Sequence, residues 1–294
     1  MTNTATPAFE TGLVDLASAY RALLCDVWGV VHDGVHVHPA ATDALARYRA
    51  AGGIVLLITN APRRKAGVLE LFERIGVAPG AYDDILSSGD VTRDFLAGKI
   101  GKRIYHLGPE RDLSLYDGLP HVFGDENDCE IVSCTGFFDD DTESPDDYQE
   151  SLVAWRARDV PMVCSNPDIV VERGGRMVWC AGAMAQRYRE LGGETIMIGK
   201  PHALIYEAAL ERIAAIAGEP VPPQSVLAVG DAFGTDVRGA NGQGIDILFV
   251  TGGIHAAEFG DRDAPDLAKV HEQLATASLG ARAVVPRLAW GGGA

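Results

Sequence analysis

The sequence predicts an α/β protein, a parallel sheet covered on both faces by helices, with a second α/β unit inserted into it. Three observations point there. Short apolar runs end in Asp, Thr, Asn or Gly; helix-like segments follow them; and the pattern breaks between residues 90 and about 191 before resuming. Continuous apolar strands alternating with helices mark a parallel sheet buried on both sides. A length of 294 residues suits one large or two smaller domains.

The run "ALLCDVWGVV" (22–31) reads as a buried strand and "AATDALARYRAAG" (40–52) as a helix. "GIVLLITNAP" (53–62) is a second strand, "RRKAGVLELFERIG" (63–76) a second helix, and "DDILSSGD" (83–90) a third short strand. Later come "ETIMIGKP" (194–201), the helix "ALIYEAALERIAAIAG" (203–218), "SVLAVGDAFGTD" (225–236) and "DILFVTGG" (246–253). The domain expectation is a Rossmann-like core of residues 1–88 and 192–294, with residues 89–191 as the insertion. The insertion contains "KRIYHLG" (102–108), "VPMVCSNPD" (160–168) and helices near 146–158 and 182–191. Its acidic run "DDDTESPDD" (139–147) reads as a solvated loop entering a helix at Ser144–Pro145–Asp146.

Composition narrows the function. A net charge of −16 disfavours nucleic acid and anionic membranes as partners. The five scattered cysteines lack CxxC spacing and read as buried reduced thiols. The start "MTNTATPAFETG" has neither a basic n-region nor an apolar h-region, so the expectation is no signal peptide and a cytoplasmic protein. The tail "WGGGA" (290–294) is expected to fray. No G-x-G-x-x-G follows a strand, and "GKIGKR" (98–103) lacks P-loop spacing. His36 and His38 read as loop or strand-edge residues, because no cysteine or carboxylate set completes a metal sphere.

Four polar features fall at strand ends, where open parallel sheets bind ligands: Asp26, Thr59–Asn60, Lys200, and the pair Asp231 and Asp236. A carboxylate in an apolar strand is costly unless it is paired or metal-bound. Together these residue types suit phosphoryl transfer. An aspartate serves as nucleophile, a hydroxyl and N–H groups hold phosphoryl oxygens, a lysine neutralises charge, and further aspartates hold Mg²⁺.

The order of these motifs resembles the haloacid dehalogenase superfamily of hydrolases. "CDVWGVVHDG" matches its first motif, "LLITNAP" its second, Lys200 in "IGKP" its third and "VGDAFGTD" its fourth. The position of the insertion, with "SNPD" (165–168) and "AGAMAQ" (181–186), resembles the type IIA branch, which includes the p-nitrophenylphosphatase-like enzymes and carries a C2-type cap there. The resemblance implies that Asp26 is the nucleophile and a Mg²⁺ ligand, together with the Trp28 backbone carbonyl, Asp231 and Asp236. It implies that Thr59, Asn60 and Lys200 bind the phosphoryl group, that Lys200 also steadies the nucleophile, and that Asn166 and Asp168 in the cap help select substrate. A homodimer through the cap is a further implication.

One position departs from the pattern. Phosphatases of this family read Asp-x-Asp in the first motif, and here the second Asp is Trp28. An indole does no acid–base work, and such catalysis is worth roughly 10²–10⁴ in rate. Three expectations follow. The chain is a Mg²⁺-dependent phosphatase of a small phosphorylated metabolite with a good leaving group, or one borrowing His32 or Asp33 as base. Alternatively, it is a non-phosphatase hydrolase using Asp26, or a catalytically impaired protein that binds a phosphorylated ligand.

Overall fold

A computed structural model of the chain describes residues 8–9, 12–173 and 176–291. Most of the N-terminal segment and the last residues of the tail, on which two of the expectations above fall, lie outside the described residues. Contacts divide the chain into two compact units: Met1–Thr59, Glu70–Leu86 and Tyr206–Ala294 form the first, and Asn60–Leu69 and Ser87–Ile205 the second.

The first unit is built on a seven-stranded sheet. Its spatial order is Ala8–Phe9, Ala283–Val285, Asp246–Val250, Val226–Gly230, Ala22–Asp26, Ile54–Thr59 and Asp84–Ser87. The registered pairs are parallel, with Val229 opposite Cys25 and Asp26 opposite Ile58. Ala22–Asp26 and Val226–Gly230 are buried along their whole length, which is why they read as unbroken apolar runs. The first strand ends at Asp26, earlier than the apolar run suggested, because Val27–Val37 folds back on itself: Val31 and His32 N–H both donate to the Val27 carbonyl. Helix Pro39–Ala50 opens with a proline and buries Ala41, Ala44, Leu45 and Tyr48, one stripe of its surface. The order of strands and helices is the Rossmann-like parallel architecture the sequence predicts.

The second unit has a five-stranded sheet, in the order Thr195–Met197, Met162–Cys164, Ile131–Cys134, Arg103–Leu107 and Val122–Phe123, with all pairs parallel. Trp155, Tyr188, Phe137 and Met184 pack beneath it with Cys134 and Cys164. A separate antiparallel hairpin joins Val170–Arg173 to Arg176–Trp179. The strand within "ETIMIGKP" follows the expected inner boundary at residue 192, yet Thr195 registers with Met162, and the unit continues to Ile205.

One local expectation changes. The acidic run is ion-paired as well as solvated: Asp140 pairs with Arg111 and Arg173, and Asp141 with Arg173 at 2.7 Å. Its end does enter a helix. Ser144 and Asp147 cap the turn Pro145–Tyr148, and Gln149–Ala157 continues it. The five cysteines are buried and outside any disulfide, as read. Among the described residues, no helix is long and apolar enough to cross a membrane.

Candidate active site

Three adjacent parallel strands carry Asp26, Thr59 and Asp231 to their carboxyl ends. Asp26 closes its strand, Thr59 closes Ile54–Thr59, and Asp231 follows Gly230 directly. Asp236 returns to the same place from a wide π-type turn, Phe233–Val237, a form of helix often found where function fixes the chain. Its carboxylate accepts the Ala232 N–H at 3.2 Å. Asp26, Asp231 and Asp236 are all buried, at 6%, 4% and 3% exposure, and each offers a ligand atom within 4.8 Å of the others. Among the described residues these three form the group of metal-ligating side chains drawn this close.

Each carboxylate is held by main chain. Asp26 Oδ1 accepts the N–H of Val27 at 2.7 Å. Asp231 Oδ2 accepts the N–H of Ile254 at 2.8 Å. Three like charges at this separation in a buried place favour a cation among them. Carboxylate oxygens suit a hard divalent ion such as Mg²⁺ or Ca²⁺, so the donor set fits the metal that the resemblance implies.

Trp28 is half-buried and belongs to the folded-back loop. Its indole lies against the main chain at Gly34 and edge-on to the His32 ring, with centroids 5.2 Å apart. His32 in turn meets Phe72 at 5.8 Å. The nearby groups considered as substitute bases have other work. Gly34 N–H donates to His32 Nδ1 at 2.9 Å, which places the ring proton on Nε2, and burial then repulsion from His38 push the ring pKa down to about 4. Asp33 accepts the Val35 and His36 N–H groups and faces the His36 ring. Burial raises its pKa, but these hydrogen bonds outweigh it and the group titrates below the usual carboxylate range. His38 Nδ1 lies 3.0 Å from the Val30 carbonyl and His36 is exposed, on either side of Val37, which bridges to His32, in keeping with the loop or strand-edge reading.

The second unit gathers the other residues singled out in the sequence. Asn60, 4% exposed, brackets the backbone of Lys200: Lys200 N–H donates to Asn60 Oδ1 at 2.7 Å, and Asn60 Nδ2 donates to the Lys200 carbonyl at 3.1 Å. The same amide donates to Asp168 Oδ1 at 3.0 Å. Asn166 Oδ1 accepts the Asp168 N–H at 3.0 Å, fixing the "SNPD" loop. The Asn60 side chain is thus occupied in positioning. A further cluster in this unit has no local signature in the sequence. Asp112, 2% exposed, lies 3.3 Å from Arg63; burial raises its pKa to about 6 against the pull of Arg63 and Arg111. His106 Nε2 lies 2.9 Å from Thr135 Oγ1, and burial lowers that histidine to about 4.

Comparison with known proteins agrees with this architecture. A family model described as haloacid dehalogenase-like hydrolase matches residues 23–119, and one described as HAD-hydrolase-like matches residues 197–277. A solved hydrolase of the haloacid dehalogenase-like family from Brucella suis 1330 is 44% identical, with a TM-score of 0.85, covering 95% of this chain and 100% of that one. The chain belongs to the haloacid dehalogenase-like hydrolase family. A p-nitrophenyl phosphatase from Archaeoglobus fulgidus shares the fold at 19% identity and a TM-score of 0.70, covering 91% of this chain and 96% of its own. The curated 5′-nucleotidase YutF of Bacillus subtilis is 22% identical over 246 residues, 81% of this chain and 90% of its own.

Proposed function

We propose that the chain is a divalent-metal-dependent phosphatase, with Mg²⁺ as its metal, that hydrolyses a small phosphorylated metabolite through an aspartyl-phosphate on Asp26. The observation that carries this reading is the convergence of Asp26, Asp231 and Asp236, all buried, within 4.8 Å. Asp26, Asp231, Asp236 and the Trp28 carbonyl would hold the ion, whose positive charge offsets the repulsion between an anionic nucleophile and an anionic substrate. Asp26 attacks phosphorus, the phosphorus–oxygen bond to the leaving group breaks, and water later cleaves the acyl phosphate. Thr59, the Asn60 backbone and Lys200 are the proposed phosphoryl-binding groups, and Asn166 and Asp168 are proposed to shape substrate choice. The protein is proposed to act in the cytoplasm, with neither nucleic acid nor membrane as a partner.

The absence of an acid at Trp28 defines the substrate further. His32 and Asp33 are engaged by their own loop, so the leaving oxygen departs without a proton from that loop. Aryl, enol and acyl phosphates, whose leaving groups are weak bases, are the proposed substrate class. The second reading, a protein that binds a phosphorylated ligand with little turnover, is favoured by the same observation, because water attack on the aspartyl-phosphate also lacks a base. Hydrolysis of p-nitrophenyl phosphate with Mg²⁺ and with EDTA separates them. Metal-dependent turnover supports the phosphatase. Binding of beryllium fluoride without any turnover supports the binder.

A further inference from the structure

The loop that leaves the Asp246–Val250 strand closes on Asp231 from the side. Ile254 N–H donates to Asp231 Oδ2 at 2.8 Å. Gly253 comes so near that a Cβ there would fall inside 3.0 Å of the Asp231 Oδ2, Cβ and Cγ atoms. From the first motif, a Cβ at Gly29 would also fall inside 3.0 Å of Asp231 Oδ2 and Cγ. Gly29 has φ +84°, which itself favours glycine, whereas the Gly253 backbone lies outside the left-handed region. An alanine suits the main chain at 253. The missing side chain there serves the space that Asp231 occupies.

The loop has little freedom to retreat. Thr251 N–H donates to the Val285 carbonyl and Gly252 N–H to the Pro286 carbonyl, both at 2.9 Å. Farther along, His255 Nδ1 lies 2.7 Å from Glu258 Oε1, and its ring packs on Phe233 at 4.8 Å. Anchored on both sides of residue 253, the loop transmits any added atom to the aspartate.

We propose that Gly253, outside the four motifs, is a positioning residue for the divalent cation: the Gly253–Ile254 main chain sets the Asp231 carboxylate at the point where it meets Asp26 and Asp236. The inference rests on the metal reading above. Groups that orient a metal ligand typically change affinity by about 10- to 100-fold when altered.

The test is Mn²⁺ binding to the full chain, read by the electron paramagnetic resonance of the free ion, with no substrate present. Gly253→Ala is expected to bind Mn²⁺ about 10- to 100-fold more weakly than wild type. Gly242→Ala, at a helix end where a Cβ meets nothing within 4 Å, is the control and is expected to bind as wild type. Hydrogen exchange of wild-type residues 251–256 gives a readout that needs no variant, and Mn²⁺ is expected to slow it. Wild-type affinity in Gly253→Ala, or exchange in this segment indifferent to Mn²⁺, overturns the inference while the metal reading stands. A wild-type chain that binds no Mn²⁺ overturns both.

Discussion

Gly34 N–H donates to His32 Nδ1 at 2.9 Å, and that single bond decides what the histidine beside Trp28 does. The lone pair a general base would use is already accepting a proton, and the ring is 1% exposed among Trp28 and Phe72. Its titration therefore appears in stability. The unfolded ring protonates near 6.5 and the folded ring only near 4, so the unfolded chain binds the extra proton first as pH falls. The contribution is fully present above pH 6.5 and is lost progressively towards pH 4, on the order of 3 kcal/mol. Thermal melts from pH 7.5 to 4.5 should show Tm falling in this window, and His32→Phe should flatten the slope. A slope identical in the two proteins would mean that His32 is not the titrating group.

Trp28→Asp restores the missing acid to the first motif. Activity on alkyl phosphates should rise relative to that on p-nitrophenyl phosphate, and the gain in that ratio should approach roughly 10²-fold or more. In the wild type, log kcat/KM across a series of aryl phosphates should fall steeply as the leaving-group pKa rises, and the variant should flatten the line. A flat line in the wild type would reveal an acid elsewhere.

Asn60 supplies a different check. Asn60→Ala removes three hydrogen bonds, of which the two to the Lys200 main chain are buried. Unpaired buried groups cost about 1–3 kcal/mol. Denaturant melts should show a loss of that order. KM for p-nitrophenyl phosphate should rise as Lys200 loosens. An unchanged KM in a folded variant would remove Asn60 from the positioning of Lys200.

Metal removal should be visible without catalysis. Three buried carboxylates within 4.8 Å repel each other, so saturating Mg²⁺ should raise Tm by several degrees over EDTA. Asp231→Asn should reduce that difference. A Tm indifferent to Mg²⁺, with wild-type protein shown folded, would leave the trio without its ion.

How much of this was legible in the sequence depends on distance along the chain. Asp26 stood out because a carboxylate interrupted an apolar strand, and Asp231 and Asp236 because they follow one. The hairpin Val170–Arg173 with Arg176–Trp179 left no apolar run, since nearly all of its residues are part or fully exposed. The strand Thr195–Met197 was visible as a strand, but its partner is set by parallel pairing to Met162–Cys164, which no local pattern encodes. The Asn60 amide is the sharpest case. Its place at a strand end suggested a phosphoryl ligand, while its side-chain partners are the Lys200 main chain, 140 residues away, and Asp168. Likewise the arginines that clamp Asp140 come from both sides of the acidic run, so the run looked merely solvated.

The most direct test of Asp26 as nucleophile is rapid-mixing hydrolysis of p-nitrophenyl phosphate with Mg²⁺. With no base at Trp28 to speed water attack, the aspartyl-phosphate should accumulate. The expected result is a burst of about one nitrophenolate per chain followed by a slower linear phase, ³²P retained on Asp26 after acid quench of a labelled substrate, and neither in Asp26→Asn. Turnover that persists in Asp26→Asn, or label on another residue, would contradict it.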